Sequence, residues 1–218
     1  MSEPKIKKKT KELFQFDCLV EQELHAKIVG VDEVGRGPLA GPVVSAAVCL
    51  DLNTVIDGIN DSKKLSASTR EELYGIITEK AIAWSVASCT PAEIDKINIL
   101  QASLLSMKKA LETLNCTWMQ VLIDGNQYIP GMDKACQRTV VKGDAKSASI
   151  AAASIIAKVT RDRIMDEYHE KYPVYDFRQN KGYATEFHRN AVVEHGICEI
   201  HRKTFCTNIL ECQLSLPL

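Results

Sequence analysis

A chain of 218 residues, of which 45% are hydrophobic and 25% charged, is long enough to bury a core and too apolar to belong to the disordered proteins. Its formal net charge of -1 excludes a strongly basic protein. Lysines nevertheless crowd positions 5–11, and basic residues recur between 134 and 203; these residues form either one basic face or ordinary solvated surface. No run approaches the roughly 18 apolar residues of a membrane helix, and the lysine-rich N-terminus lacks the apolar segment of a secretory signal, so we expect a cytoplasmic protein.

The first half of the chain alternates between apolar runs of strand length and runs with helical spacing. We predict a helix over 12–25, strands over 27–34 and 42–50, a helix over 66–83 and a strand over 84–90. The first two strands are close enough in sequence to form a hairpin.

The second half continues the alternation with longer helices. Pro91 opens helical sequence that runs to about residue 114, strands follow over 118–124 and 137–142, and a long alanine-rich helix covers 147–172. Because strands are paired early and separated by helices later, we predict an α/β fold with a mixed sheet covered by helices.

Three glycines after the first predicted strand resemble a nucleotide-binding loop. Gly35, Gly37 and Gly41 give a pattern near the dinucleotide fingerprint G-x-G-x-x-G. That fingerprint must open a helix whose N-terminus holds the pyrophosphate. Here Pro42 leads into a β-branched run, so a strand follows and dinucleotide binding is excluded.

Carboxylates stand at the ends of three predicted strands. Asp32 ends the first, Asp124 ends the fourth, and Asp144 follows the fifth after a short gap. Taken singly, each is more simply a turn or cap residue. Neighbouring strand ends would bring all three together, and oxygen ligands of this kind suit Mg²⁺ and other hard cations. The three together therefore favour a divalent-metal site, where two ions can promote phosphodiester hydrolysis.

Glu33, next to Asp32, raises a geometric question. Successive side chains of a regular strand point to opposite faces of the sheet. Either the strand is irregular at its end, or Glu33 contributes to a metal site through its backbone carbonyl.

Seven sequence blocks, in order and in spacing, resemble the ribonuclease HII family over about residues 28–205. They are GVDEVGRGPLAGPVV from Gly30, DSKKLS (61–66), NILQAS (98–103), LIDGN (122–126), VVKGDAKSASIAAASIIAKVTRD (140–162), KGYAT (181–185) and HRKTF (201–205). The resemblance implies a ribonuclease H-like α/β fold, with a mixed five-stranded sheet flanked by helices and a small C-terminal helical part. We accordingly expect a basic helical extension over 1–26, a catalytic domain over 27–172 and a helical part with a tail over 173–218.

The family's functional residues transfer to matching positions. The resemblance implies that Asp32, Glu33, Asp124 and Asp144 are the catalytic, metal-binding acids. It also implies that the Gly35-Arg36-Gly37 loop senses the ribose 2′-OH and that Tyr183 packs on the adjoining deoxyribose. For Tyr183 an ordinary half-buried tyrosine is the simpler alternative. Nearby basic residues are candidates for positioning phosphates: Lys63, Lys64, Lys142, Lys146 and Lys181.

The activity implied is that of an endoribonuclease dependent on Mg²⁺ or Mn²⁺. It would hydrolyse RNA in RNA–DNA hybrids and incise duplex DNA 5′ of embedded ribonucleotides by two-metal-ion catalysis, leaving 5′-phosphate and 3′-OH ends. The alternatives are a silent hybrid-binding module and a junction resolvase of the same fold. The related ribonuclease HIII is disfavoured, because only about 26 residues precede the first strand.

The final residues, QLSLPL from Gln213 to Leu218, resemble the short peptide by which bacterial replication proteins dock on the sliding clamp. A frayed terminus is the alternative. Apart from this possible clamp partner we expect a monomer whose partners are RNA–DNA hybrid and ribonucleotide-containing DNA.

Overall fold

The computed structural model describes residues 7–117 and 120–214, and the side chains of 210–214 are outside that description. Its strands are β1 (Ile28–Val34), β2 (Val43–Cys49), β3 (Ala83–Cys89), β4 (Gln120–Asp124) and β5 (Gln137–Val140). Its helices are α1 (Lys8–Leu24), α2 (Ala67–Lys80), α3 (Pro91–Ile97), α4 (Ile99–Thr113), α5 (Ala148–Lys171), α6 (Phe177–Asn180), α7 (Glu186–His195) and α8 (Lys203–Leu214). The described helices include none that is both long and apolar enough to cross a membrane.

The strands form one mixed sheet in the order β3-β2-β1-β4-β5. β1, β2 and β3 are antiparallel neighbours, which confirms the predicted hairpin, while β4 and β5 run parallel to β1. Connections between parallel strands must cross over the sheet, and here they carry the helices. The carboxyl ends of β1, β4 and β5 consequently lie at the same edge of the sheet.

Helices cover both faces of the sheet, and the alternation of side chains along β2 separates the two cores. Ala46 and Val48 face α5, α2 and α1, where their cluster includes Ile77 and the alanines of α5. Ala47 and Cys49 face α4, where Met107 and its neighbours pack. By the same alternation on β1, Gly30 and Asp32 face α5, whereas Val31 and Glu33 face α4.

The residues after α5 form a third hydrophobic cluster with the loop that joins β1 and β2. Phe177 and Tyr175 stack with their ring centroids 5.3 Å apart, and Met165 and Val192 pack around them. Ala40 of the loop belongs to the same cluster and forms a β-bridge with His201. This small C-terminal helical part therefore holds the β1–β2 loop from outside.

The predicted elements exist, with differences at their ends. The helical stretch predicted from Pro91 is two helices, because Asn98 at their junction has a φ of 66°, a conformation outside the helical region. The helix predicted to reach residue 83 stops at Lys80, since Ala83 already pairs with Cys49 in the sheet. The predicted start of the fourth strand, Trp118 and Met119, lies outside the described residues.

Candidate active site

The ends of three parallel strands bring the predicted acids together. Asp32 lies near the end of β1 and Asp124 ends the adjacent β4. After β5 a 3₁₀ turn over Gly143–Ala145 carries Asp144, and the Gly143 amide donates a 2.6 Å hydrogen bond to Oδ1 of Asp124. The backbone thus couples the turn that carries Asp144 directly to the Asp124 carboxylate.

Asp32 and Glu33 reach the site from opposite faces of β1. The strand stays in regular register as far as Val34 opposite Val44, so the irregularity considered from the sequence is absent from β1. Asp32 is buried against α5, where the Ser154 hydroxyl is its partner, and Glu33 accepts a 3.2 Å hydrogen bond from Nη1 of Arg36. Both side chains nevertheless line one cleft, of about 330 Å³, together with Asp124.

Burial and mutual repulsion disfavour the ionised acids. Burial raises the pKa of Asp32 well above its usual value, and Glu33 and Asp124 add to the rise. Burial raises the pKa of Glu33 to about 7, against the opposing effect of Arg36. The pKa of Asp144 is raised by burial, then by Asp124 and Asp61. The nearby cations therefore do not offset the cost of ionising these acids together.

The donor set fits a hard divalent cation, because every candidate ligand is a carboxylate oxygen and a cation would stabilise the ionised form of these acids. Among the described residues, however, no group of three or more His, Cys, Asp or Glu side chains is arranged so that it could hold an ion as it stands. The described residues thus include the ligand types of a metal centre, but their side chains are not arranged around one ion position.

The predicted substrate loop and tyrosine face the same cleft. Gly35, Arg36, Gly37 and Tyr183 line it beside the acids. Gly35 has a φ of +96°, which favours glycine, and the Tyr183 ring is so close to Gly37 that a Cβ there would lie 3.9 Å from it. Tyr183 is 43% exposed, so its ring is available for contact with a ligand.

The predicted phosphate-binding lysines differ in their surroundings. Lys63 is 82% exposed with its Nζ 4.0 Å from Asp144, and Lys64 pairs with Asp61. Lys142 and Lys146 are exposed on either side of the turn that carries Asp144. The Lys181 ammonium is half-buried and paired with Asp166, so it is the least available of the five.

Two buried arginines are functional candidates that the sequence alone does not indicate. Arg161 and Arg202 are both fully buried, and their guanidinium groups bind carbonyls of the loop that carries Gly35 and Arg36. Arg161 resembles an ordinary partner of Asp162 in sequence, but Asp162 pairs with Lys158 at 2.7 Å. The only sequence signal was their place inside the VTRD and HRKTF blocks.

A mixed sheet with acids at the ends of its parallel strands, opening on a cleft with basic and glycine-rich walls, defines a divalent-metal-dependent nuclease of the ribonuclease H-like class. The comparison with known families narrows the class, because the model of the ribonuclease HII family matches residues 29–208. The chain belongs to the ribonuclease HII family.

Curated relatives agree. The chain is 52% identical to a ribonuclease HII of Vibrio vulnificus over 198 residues, which is 91% of this chain and 93% of that protein. It is 54% identical to a ribonuclease HII of Wolbachia pipientis over 190 residues, which is 87% of this chain and 94% of that protein.

Solved structures support the fold. Ribonuclease H2 from Pyrococcus horikoshii superimposes with a TM-score of 0.70 at 28% identity, covering 87% of this chain and all of that chain. The structure of the PCNA:RNase HII complex from Archaeoglobus fulgidus matches with a TM-score of 0.65 at 28% identity, covering 84% of this chain and 96% of that one. Bst-RNase HIII, solved with Mn²⁺, shares the fold at a TM-score of 0.71 and 18% identity, covering 86% of this chain and 70% of that one.

Family membership establishes the activity at the level the site implies. The chain is a divalent-metal-dependent endoribonuclease that acts on RNA–DNA hybrids. This confirms the fold and the hybrid-cleaving activity expected from the sequence blocks. The silent binding module and the junction resolvase are excluded.

Proposed function

We propose that this endoribonuclease also incises duplex DNA on the 5′ side of embedded ribonucleotides, leaving 5′-phosphate and 3′-OH ends. Its ligands for two divalent ions, Mg²⁺ or Mn²⁺, would be Asp32, Glu33, Asp124 and Asp144. The observation that carries the proposal is the position of Asp32, Glu33 and Asp124 on one cleft with the Gly35–Gly37 loop and Tyr183. The turn that carries Asp144 adjoins them through the hydrogen bond from the Gly143 amide to Asp124.

The chain's own residues supply binding and orientation. When bound, divalent ions would lower the pKa of an attacking water and stabilise the leaving oxygen. The raised pKa values of Asp32, Glu33 and Asp144 support this assignment, because a cation would relieve the repulsion between these acids. Lys63, exposed at the cleft beside Asp144, is suited to hold a substrate phosphate close to the acids.

Recognition of the ribose is assigned to the loop and the tyrosine. Glycines let backbone groups approach a sugar closely, and the 2′-OH is the group that distinguishes RNA from DNA. The Tyr183 ring, close to Gly37 and exposed, is suited to pack on the neighbouring deoxyribose and to disfavour a second 2′-OH there. Together they would favour cleavage where RNA meets DNA.

The test compares a duplex that contains one ribonucleotide with an all-DNA duplex of the same sequence. We expect cleavage of the first alone, and only with Mg²⁺ or Mn²⁺. In Tyr183→Ala we expect kcat/KM on the single-ribonucleotide duplex to fall about tenfold, because removing a large apolar side chain from water against the sugar contributes about 1.5–3 kcal/mol.

Tyr128→Ala is the matched control, since Tyr128 is 44% exposed and does not line the cleft. Its kcat/KM should equal that of the unmodified enzyme. Equal cleavage of the all-DNA duplex would refute recognition of the ribose, and an unaffected Tyr183→Ala variant would remove the tyrosine from it.

The C-terminal residues suggest a second partner. We propose that Gln213–Leu218 dock on a replication sliding clamp, since this sequence resembles a clamp-binding peptide and an RNase HII of Archaeoglobus fulgidus has been solved in complex with PCNA. Residues 215–218 lie outside the described residues, and α8 leads directly to them. Tethering would raise the local concentration of the enzyme on replicated DNA.

Deletion of residues 213–218 should abolish capture by a purified bacterial clamp while hybrid cleavage without the clamp stays unchanged. A variant with the same six residues in scrambled order controls for length and composition. Clamp capture that survives both changes would contradict the proposal. We further propose that the enzyme acts as a monomer.

A further inference from the structure

We propose that Arg161 and Arg202 are positioning residues for substrate recognition. They fix the loop over Gly35–Pro42 against the loop over Lys181–Tyr183, so that the surface that reads the ribose is formed before substrate binds. The inference rests on the proposed role of these two loops.

Arg202, just before α8, binds the recognition loop directly. Its side chain is 0% exposed. Nη2 donates to the Gly35 carbonyl at 2.6 Å, Nη1 donates to the Arg36 carbonyl at 2.9 Å, and Nε donates to the Gly41 carbonyl at 3.1 Å. One guanidinium therefore binds both ends of the loop.

Arg161, in the middle of α5, joins the two loops to each other. It is also 0% exposed, and its Nε and Nη2 donate to the Pro42 and Ala40 carbonyls at 3.0 and 3.1 Å. Its Nη1 donates to the Lys181 carbonyl at 2.9 Å. Because α5 packs along the sheet, this contact ties both loops to the rigid core of the fold.

Burial of the two guanidinium charges is unfavourable, and the loop carbonyls offset it. Neither guanidinium forms an ion pair with any described carboxylate, although a buried charge is normally paired. Burial lowers the pKa of Arg161 to about 10 and that of Arg202 to about 9, and the charge of Arg161 adds to the effect on Arg202. The charges are instead satisfied by loop carbonyls, which requires those carbonyls to point inward.

Inward carbonyls determine what the loop presents to the cleft. The C=O and N–H groups of a trans peptide point in opposite directions. Because the Gly35 and Arg36 carbonyls point toward Arg202, the amides of Arg36 and Gly37 point away from it. Neither amide donates to another residue of the described chain, so both are free for a ligand.

The loops are packed too tightly for independent movement. A Cβ on Gly35 would lie 2.2 Å from Nε of Arg161, and one on Gly182 would lie 2.4 Å from the Ala40 carbonyl oxygen. The Leu39 amide donates to the Gly182 carbonyl at 2.8 Å. A shift of either arginine would therefore move Gly37 and Tyr183 relative to the acids.

The test uses Arg202→Met and Arg161→Met, which keep the length of the side chain and remove its donors. We expect KM on the single-ribonucleotide duplex to rise and the ratio of kcat/KM between that duplex and a long RNA–DNA hybrid to fall at least tenfold, since small misplacement can cost about 100-fold. Binding of Mn²⁺ in titration calorimetry should change less than threefold, because the arginines do not contact the acids. Loss of active protein cannot change the ratio.

Ile77→Ala provides the control for stability. Ile77 is buried in the core between α2 and α5 and does not line the cleft, so the variant lowers the melting temperature without touching either loop. Its substrate ratio should stay that of the unmodified enzyme. If the Met variants do not fold, Arg202→Lys and Arg161→Lys, which keep the charge but lose the multiple donors, are measured in their place.

The outcomes distinguish failure of the positioning role from failure of the proposed function. If Tyr183→Ala changes the substrate ratio while the arginine variants retain it, the positioning role is refuted and the proposed function stands. If the unmodified enzyme does not distinguish ribose from deoxyribose, the proposed function itself fails. The inference is supported if the substrate ratio falls in the arginine variants but not in Ile77→Ala, when all three have similar melting temperatures.

Discussion

Replacement of Asp124 by Asn should abolish cleavage while the variant still binds the hybrid. Asp124 lies between the other acids: it influences the pKa of Asp32, Glu33 and Asp144. Asn keeps the size of the side chain and an oxygen that can accept from the Gly143 amide at 2.6 Å, but it removes the negative charge. We expect kcat to fall at least about 1,000-fold, because metal ions supply several kcal/mol of transition-state stabilisation and about 1.4 kcal/mol corresponds to a factor of ten.

The measurement is hybrid cleavage in Mg²⁺, with binding followed by fluorescence anisotropy. Asp133→Asn is the matched control, because Asp133 also accepts a backbone amide, that of Ala135 at 2.9 Å, but does not line the cleft. The melting temperature of Asp124→Asn should not fall, since one source of repulsion among buried carboxylates is removed. More than about a tenth of the original kcat would rule out Asp124 as an essential ligand.

The pattern of apolar residues in the sequence is sufficient to predict the strands that position the site. The apolar runs that end at Asp32 and Asp124 predict β1 and β4, and the hairpin follows from the short loop after β1. Strand ends alone also indicate that Asp32, Asp124 and the turn with Asp144 lie at one edge of the sheet. They do not indicate the face of Glu33, because only the register with β2 reveals that β1 remains regular beyond Asp32.

Contacts between distant parts of the chain escaped prediction. Arg161 and Arg202 bind loop carbonyls 119 to 167 residues earlier in the chain, and nothing local marks them as buried. Asp17 is a similar case: it is buried in α1 and accepts from the Ser149 amide at 2.8 Å, at the start of α5. A carboxylate there satisfies one of the free amides at a helix N-terminus, and that pairing depends on the fold rather than on sequence spacing.

Gly30→Ala should be among the most destabilising single-methyl changes in the chain. A Cβ on Gly30 would lie 2.2 Å from the carbonyl carbon of Ser149 and 2.3 Å from the Ile150 amide nitrogen. Both atoms belong to the backbone of α5, so no side chain can rotate away, and β1 and α5 must separate. Overpacking in a core typically costs about 1–3 kcal/mol, and we expect a loss of about 3 kcal/mol or more in the free energy of unfolding.

Thermal and urea unfolding measure this effect. For a chain of this size 1 kcal/mol corresponds to about 2–4 °C, so the melting temperature should fall by roughly 10 °C. Gly75→Ala is the control, because Gly75 lies inside α2 with no atom within 4 Å of its Cβ position, and alanine there should add about 0.5–1 kcal/mol. Asp32 lies two residues beyond Gly30 on the same face, so separation of β1 from α5 should also lower hybrid cleavage. A Gly30→Ala variant as stable as the unmodified protein would show that the contact between β1 and α5 is looser than these distances imply.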